Sequence, residues 1–108
     1  MAIEVRKTQS PRSKVPVEQL GFGKVFSDHM FLLDYQGGKW LNPRIEPYGP
    51  LSLDPGACVL HYAQCLFEGM KAFRAKNGQV RLFRPKFHAE RFAKGAARLC
   101  MPSVPADM

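Results

Sequence analysis

The fold is decided by two neighbouring stretches, LHYAQCLFEGMKAFR (residues 60–74) and, after a short turn, VRLFRPKFHAERF (residues 80–92). The first stretch sets aromatic and polar side chains beside a glycine. The second runs from an alternating strand pattern into a helix that carries Arg91. Together the two stretches predict one wall of a small-molecule site with an anchor for an anion. Neither stretch supplies the reactive group that such a site needs.

The elements around these stretches follow from periodicity and turn residues. Residues 67–75 alternate, which predicts a strand with Phe67 and Gly69 on one face and Glu68 on the other. Lys-Asn-Gly at 76–78 predicts a hairpin turn of the Asn-Gly kind. The other predicted elements are a helix over 57–66, a returning strand over 79–84 and a helix over 85–100.

The first half of the chain predicts a second hairpin. Residues 24–35 (KVFSDHMFLLDY) have the pattern of a strand, Gln-Gly-Gly at 36–38 that of a turn, and residues 39–41 that of the returning strand. Four prolines within residues 42–55 argue against a helix or a central strand. We therefore expect an extended surface connection there.

Length and charge limit the class of protein. At 108 residues the chain has room for one domain, which we expect over residues 21–108 behind a flexible basic arm at 1–20. Hydrophobic residues make up 45% of the sequence, which favours a folded body, and no apolar run predicts a membrane span. The net charge of +7 raises nucleic-acid binding as an alternative. A solvated face of mixed charge is favoured instead, because the cations alternate with apolar residues.

Cysteines and histidines give no metal or nucleophile signal. Cys58, Cys65 and Cys100 lack CxxC spacing and lie in apolar stretches, which predicts buried, reduced side chains. The histidines are scattered, so no metal site is predicted, and no glycine-rich phosphate loop is present. The N-terminal residues lack the apolar core of a secretory signal. Cytoplasm is the favoured location, with mitochondria left open.

Five residues are candidates for ligand binding. Arg91 suits a phosphate because its planar guanidinium donates two parallel hydrogen bonds, although an exposed arginine paired with an acidic residue one turn away is the simpler interpretation. Tyr62 and Phe67 flank the predicted helix–strand junction, where rings line a cleft or pack in a core. Gly69 marks a bulge or a place where a ligand approaches the backbone. Phe22, before the first strand, is a further ring that suits the lining of an opening.

Three stretches together carry a resemblance to a known family: FGKVFSDHMFLLDY (22–35), PYGPLSLDPGACVLHYAQCLFEGMKAFR (47–74) and VRLFRPKFHAERF (80–92). Their order and spacing closely resemble the N-terminal domain of branched-chain amino acid aminotransferases, which are pyridoxal 5′-phosphate enzymes of the fold-type IV group. The resemblance covers about residues 22–102. It implies an α+β fold, a small domain with an antiparallel sheet and flanking helices that closes one side of the active site.

The resemblance also implies a role for each candidate. Arg91 matches the arginine that binds the phosphate of pyridoxal 5′-phosphate. Tyr62, Phe67 and Phe22 match residues that line the pocket for the branched side chain, and Gly69 matches the glycine beside the substrate. The implied reaction moves the amino group of L-leucine, L-isoleucine or L-valine to 2-oxoglutarate. The implied enzyme is a homodimer with small-molecule partners and no nucleic-acid or membrane partner.

One departure from the family pattern sets the expectation for activity. The family's Schiff-base lysine, and the glutamate that pairs with the cofactor's pyridine nitrogen, lie in a larger C-terminal domain, and no lysine here matches the catalytic one. We therefore expect the N-terminal part of an aminotransferase that has no catalytic residue of its own and is inactive alone. Two alternatives stay open: a non-catalytic self-associating domain, and another pyridoxal phosphate enzyme of fold-type IV.

Overall fold

The computed structural model describes residues 2–105 and divides the chain into two compact units, Met1–Ser52 and Leu53–Met108. Strands and helices are both present and the two hairpins are antiparallel, which confirms the predicted α+β class. The elements are β1 (Glu4–Val5), a short 3-10 helix (Val17–Gln19), β2 (His29–Gln36), β3 (Lys39–Pro47), α1 (Cys58–Tyr62), β4 (Ala72–Arg74), β5 (Val80–Leu82) and α2 (Pro85–Arg98).

The first unit is built on the hairpin of β2 and β3, whose pairing reaches the turn at Gln36 and Lys39. The turn confirms the prediction. Gly37 and Gly38 have φ angles of 58° and 78°, and positive φ at both central residues is the condition for the type I′ turn that fits a two-residue hairpin. β1 pairs in parallel with the other edge of β3, so that the strand order is β1-β3-β2.

The expectation for residues 42–55 is wrong over its first part, because β3 continues through Pro43 and is the central strand. A bulge explains why the proline is tolerated. The register shifts opposite Leu33, where Asn42 and Pro43 together face one residue of β2. Asn42 has a φ of 53°. Pro43 therefore lies where the ladder is interrupted, and its missing N–H removes no ladder bond.

Residues 1–20, predicted as a flexible arm, contribute β1 and further backbone bonds to the first unit. The N–H of Thr8 donates to His29 Nε2 at 3.0 Å, and the N–H of Arg12 donates to Asp28 Oδ1 at 3.0 Å. These bonds tie the arm to the start of β2. The mobility of the arm and the domain boundary at residue 20 stay predictions.

The second hairpin, β4 with β5, is also present, although its turn is of another kind. The N–H of Gly78 donates to the carbonyl of Ala75 at 2.9 Å, and the N–H of Ala75 donates to the carbonyl of Gln79 at 2.8 Å. Gly78 has a φ of 82°, whereas the φ of Asn77 is not positive. The strands are therefore joined by a three-residue loop that ends on a left-handed glycine, instead of a type I′ turn.

Both predicted helices are present, and backbone conformation explains where they start and stop. α1 ends at Tyr62, short of the predicted end at residue 66, because Ala63 takes the left-handed conformation with a φ of 50°. α2 begins at Pro85, as predicted, because the fixed φ and missing N–H of proline suit the first helical position.

Residues 64–69, called the docked segment below, lie along α2 in the opposite direction. Gln64 Nε2 donates to the carbonyl of Leu99 at 2.9 Å. Leu66 approaches Gly95 so closely that a Cβ added to this glycine would lie 2.8 Å from Leu66 Cδ1. The docked segment belongs to neither sheet. Side-chain contacts with α2 and the close approach at the glycine hold it there, and at its start the backbone N–H of Gln64 donates to the carbonyl of Cys58 at 3.4 Å.

The docked segment alternates between two environments. Residues 64, 66 and 68 are half-buried, and residues 65, 67 and 69 are exposed. Two residues of extended chain advance about 6.7 Å, and four residues of α-helix advance about 6.0 Å. Every second residue of the segment therefore meets every fourth residue of α2. The alternation predicted over residues 67–75 is present only over residues 67–69, because residues 69–74 are all exposed, and the paired strand begins at Ala72.

Little of the described chain is buried. Among residues 2–105 only Pro43 and Ala96 are buried, and many large apolar side chains are exposed. The prediction of buried cysteines is wrong: all three are exposed, because the apolar stretches around them are not covered. Within the same residues, no helix combines the length and the apolar character that crossing a membrane requires.

We expect Gly95→Ala and Leu66→Ala to be coupled. Alone, Gly95→Ala forces the Leu66 side chain to move, and we expect it to destabilise the docked segment by about 1 kcal/mol. In a Leu66→Ala background the crowding is gone, and the same change stabilises α2 by about 0.5–1 kcal/mol because alanine is the better helix former. Native-state hydrogen exchange of the α2 amides measures both values. Equal effects in the two backgrounds would contradict the close contact.

Candidate functional site

A polar cluster in the second unit centres on the carboxylate of Glu68. Its Oε1 accepts from the backbone N–H of Gly69 at 3.1 Å and lies 2.9 Å from His88 Nδ1, which donates when it carries the proton. Arg91 donates from Nε to Oε2 at 2.6 Å and from Nη2 to Oε1. Four donors thus converge on one side chain. Glu68 thereby fixes the end of the docked segment to α2.

Arg91 uses only one edge of its guanidinium in this cluster. Nε and Nη2 form a bidentate pair with the two carboxylate oxygens. Nη1 has no acceptor among residues 2–105, and the Arg91 side chain is 58% exposed, against 13% for Glu68. The outer edge, Nη1 with the second N–H of Nη2, is therefore open to a ligand. A planar fork of this kind binds two oxygens of a phosphate or a carboxylate.

The contacts shift the ionisation of both partners. The hydrogen bond from Arg91, followed by that from His88, lowers the pKa of Glu68 from 4.5 to about 2, although partial desolvation opposes the shift. The hydrogen bond to Glu68 raises the pKa of Arg91 above its usual value. Both side chains are therefore charged at neutral pH, and they form an ion pair.

The partner of Arg91 is not the one that the simpler sequence interpretation expects. Glu68 lies 23 residues earlier in the chain, instead of one helical turn away. Sequence reasoning did not identify Glu68 or His88 as site residues. Two patterns could have done so: the alternation places Glu68 on the face opposite Phe67, and His88 lies three residues before Arg91 on the same face of the helix. Phosphate binding by Arg91 stays a prediction.

The three candidate rings are largely exposed, Phe22 by 91%, Tyr62 by 82% and Phe67 by 81%. Tyr62 ends α1, and Phe67 is on the exposed side of the docked segment. Phe22 belongs to the first unit and the other two to the second. Exposure of this extent argues against core packing, the alternative for these residues. Their role in lining a substrate pocket stays a prediction.

Gly69 directly follows Glu68 and lies near the ring of Phe67. A Cβ added at Gly69 would lie 3.6 Å from Phe67 Cζ, which is ordinary contact, and the φ of Gly69 is not positive. Within residues 2–105, neither crowding nor backbone conformation therefore requires a glycine here. A strand bulge does not explain it either, because β4 begins only at Ala72. The structure thus brings Gly69 and Arg91 together at the Glu68 carboxylate, whereas Phe67 lies on the opposite, exposed side of the segment.

Metal chemistry has no site in the described part of the chain. Residues 2–105 contain no group of three or more His, Cys, Asp or Glu side chains placed to hold a metal ion.

The lowered pKa of Glu68 gives a test by pH. Because its folded value of about 2 lies below the ordinary 4.5, the ion pair stabilises the folded unit fully above about pH 4.5, and the stabilisation is lost as the pH falls toward 2. Carbon-13 NMR of the Glu68 carboxyl group measures the midpoint. We expect Arg91→Gln to raise the midpoint toward 4.5, and Arg98→Gln, on the same helix, to leave it unchanged. A wild-type midpoint near 4.5 would argue against the pair.

Comparison with known proteins gives the family. No family model matches the chain. The chain is 48% identical over 103 residues to Branched-chain-amino-acid aminotransferase 2 of Bacillus subtilis, covering 94% of the chain and 28% of that protein. It is 44% identical over 107 residues to Branched-chain-amino-acid transaminase 1 of the same species, covering 98% and 30%. It is 46% identical over 103 residues to the mitochondrial branched-chain-amino-acid aminotransferase of Bos taurus, covering 94% and 26%.

The chain therefore spans between a quarter and a third of the length of the curated relatives it matches. The match extends over nearly the whole of the chain itself, both units included. By sequence, the chain is therefore similar over nearly its whole length to the N-terminal quarter to third of branched-chain-amino-acid aminotransferases.

Proposed function

We propose that the chain is the N-terminal part of a pyridoxal 5′-phosphate enzyme that moves the amino group of L-leucine, L-isoleucine or L-valine to 2-oxoglutarate. The observation that carries this proposal is 42–48% identity, over nearly the whole chain, to proteins named as branched-chain-amino-acid aminotransferases or transaminases. Because the chain spans only part of those proteins, the activity belongs to the complete enzyme. We expect the 108-residue chain alone to be inactive.

In this proposal Arg91 holds the phosphate group of the cofactor. Its exposed outer edge supports the assignment, because two parallel charge-assisted hydrogen bonds to phosphate oxygens suit a planar fork. Glu68 occupies the other edge, so binding a phosphate does not require the ion pair to break. The donor chemistry at Arg91 therefore fits a phosphorylated cofactor.

In this proposal Tyr62 and Phe67 of the second unit line the pocket for the substrate side chain, and Phe22 of the first unit is a further candidate for that role. Exposed rings offer apolar area with few hydrogen-bonding groups, which suits a branched aliphatic side chain better than a polar one. The absence of a side chain at Gly69 leaves room for the substrate beside the backbone. Each methylene contributes only about 1–3 kcal/mol of discrimination. The rings therefore favour branched aliphatic substrates as a class and separate leucine from isoleucine weakly.

The reacting groups lie elsewhere in the complete enzyme. When bound, pyridoxal 5′-phosphate supplies an electron sink for the bonds at the substrate's α-carbon. The residues of this chain bind and orient: Arg91 fixes the phosphate, and the rings orient the aliphatic side chain and exclude water. We assign no catalytic lysine to this chain, and neither Lys71 nor Lys86 is proposed for that role.

We also propose that the complete enzyme is a cytoplasmic homodimer. The names of two yeast relatives include one mitochondrial and one cytosolic form, so the location is tested by microscopy of the tagged full-length protein.

The exposed apolar side chains of both units support association into a dimer. They also keep self-association of the 108-residue chain as the second candidate function. Sedimentation velocity measures whether the 108-residue chain is a monomer or an oligomer. A monomer at high concentration would exclude self-association of the chain.

A chimera tests the proposed reaction. In it, the chain replaces the matching 103-residue segment of Branched-chain-amino-acid aminotransferase 2 of B. subtilis. We expect the chimera to transfer the amino group of leucine to 2-oxoglutarate. We expect Arg91→Ala to weaken binding of pyridoxal 5′-phosphate by about tenfold or more, because a bidentate charge-assisted contact is lost.

Arg98→Ala, on the same helix, is the matched control and should leave cofactor affinity unchanged. Wild-type cofactor affinity in the Arg91→Ala chimera would contradict the anchor role. A folded, cofactor-loaded chimera without activity on any branched-chain amino acid would contradict the aminotransferase itself.

The pocket assignment predicts a change in substrate preference. In the same chimera, Phe67→Ala removes apolar wall, so we expect kcat/KM for leucine to fall about tenfold more than kcat/KM for alanine, whose side chain is too short to need that wall. Phe83→Ala, which removes another largely exposed ring of the second unit, is the control. An equal loss for leucine and alanine would remove Phe67 from the pocket.

A further inference from the structure

Glu68 pairs with the Nε edge of the Arg91 guanidinium and leaves the outer edge open to a ligand. We propose that Glu68 is a positioning residue, which binds the Nε edge of Arg91 and so aims the outer edge, Nη1 with Nη2, at the phosphate of the cofactor. This inference rests on the proposed function, in which Arg91 holds that phosphate. Glu68 itself touches neither cofactor nor substrate in this arrangement.

The geometry of the pair fixes the guanidinium in space. Two donors of Arg91 meet two oxygens of one carboxylate, with Nε to Oε2 at 2.6 Å. Such a bidentate contact sets both the position and the plane of the guanidinium, whereas a single hydrogen bond leaves it free to rotate. An unrestrained, exposed arginine loses more side-chain freedom when it binds a ligand, and affinity falls accordingly. Holding Arg91 in place beforehand avoids that loss.

The carboxylate that holds Arg91 is itself held by other groups. The N–H of Gly69 contacts its Oε1 at 3.1 Å, and His88 Nδ1 lies 2.9 Å from the same oxygen. Leu66, two residues earlier, packs against α2 and docks the backbone that carries Glu68. With 13% of its side chain exposed against 58% for Arg91, Glu68 is the more constrained partner. The constraint therefore passes from the docked segment to the arginine.

Charge alone predicts the opposite effect. A carboxylate beside an anion-binding arginine repels a phosphate, so removing its charge should tighten phosphate binding if electrostatics were the only effect. A positioning role predicts that the same change loosens binding. Whether phosphate affinity rises or falls when the charge of Glu68 is removed therefore distinguishes a purely electrostatic effect from a positioning role.

The test uses the chimera with the B. subtilis aminotransferase, stripped of cofactor, and titrates it with pyridoxal 5′-phosphate and with pyridoxal, which lacks the phosphate. We expect Glu68→Ala to weaken pyridoxal 5′-phosphate binding about three- to thirtyfold, a range typical of coupled contacting residues. Glu68→Gln, which keeps the shape and one acceptor, should weaken it less. Pyridoxal affinity should stay unchanged in both variants. In an Arg91→Ala background, Glu68→Ala should have no further effect.

Gln64→Ala is the matched control, because it removes a hydrogen bond between the docked segment and α2 but leaves the Glu68 pair intact. It should bind pyridoxal 5′-phosphate as the unmodified chimera does. If Glu68→Ala does not fold, Glu68→Gln carries the comparison, with circular dichroism as the check on folding.

Three results would overturn the positioning role. Unchanged or tighter pyridoxal 5′-phosphate binding by the Glu68 variants, with binding by Arg91→Ala weakened, removes this inference and leaves the phosphate anchor in place. Equal losses for pyridoxal 5′-phosphate and pyridoxal in Glu68→Gln indicate a purely structural role. If Arg91→Ala leaves the ratio of the two affinities unchanged, the phosphate anchor of the proposed function fails first.

Discussion

The second unit depends on how the docked segment fits α2. An extended chain and a helix come into step when every second residue of one meets every fourth residue of the other, because both intervals are about 6–7 Å. The fit needs close approach at one point, and Gly95 allows it: a Cβ there would lie 2.8 Å from Leu66 Cδ1. With the segment in step at its middle, Gln64 reaches the end of α2 and Glu68 reaches Arg91.

This arrangement divides the segment into two roles. Residues 64, 66 and 68 hold the segment on α2, and residues 65, 67 and 69 remain exposed. One side of the docked segment exposes the ring of Phe67 and the backbone of Gly69. The opposite side carries Glu68, which binds Arg91. A binding surface for a molecule with an apolar part and an anionic part needs both kinds of group within a short distance.

Sequence patterns predicted the local features of this fold and missed those set by contacts distant in sequence. The Gly-Gly turn and the start of α2 at Pro85 are local, because turn and first-turn preferences act within a few residues. β3 was missed beyond residue 41, because a proline is compatible with a central strand only where a bulge in the pairing removes the need for its N–H. The partner of Arg91 was missed because Glu68 is brought to it by the docking of a segment 23 residues away. The predicted alternation holds over residues 67–69 only, and it could not reveal that the neighbouring element was a helix.

The exposed rings leave apolar surface uncovered in each of the two units. Covering one such ring contributes about 1.5–3 kcal/mol from apolar surface alone, and Phe22, Tyr62 and Phe67 are each more than four-fifths exposed. Few residues of either unit are buried within the described range, so little of this free energy is used inside the units themselves. It is available to a substrate side chain or to further protein surface. In the proposed function, Arg91 is the polar group that orients the ligand, and the exposed rings of Tyr62 and Phe67 in the same unit supply apolar area.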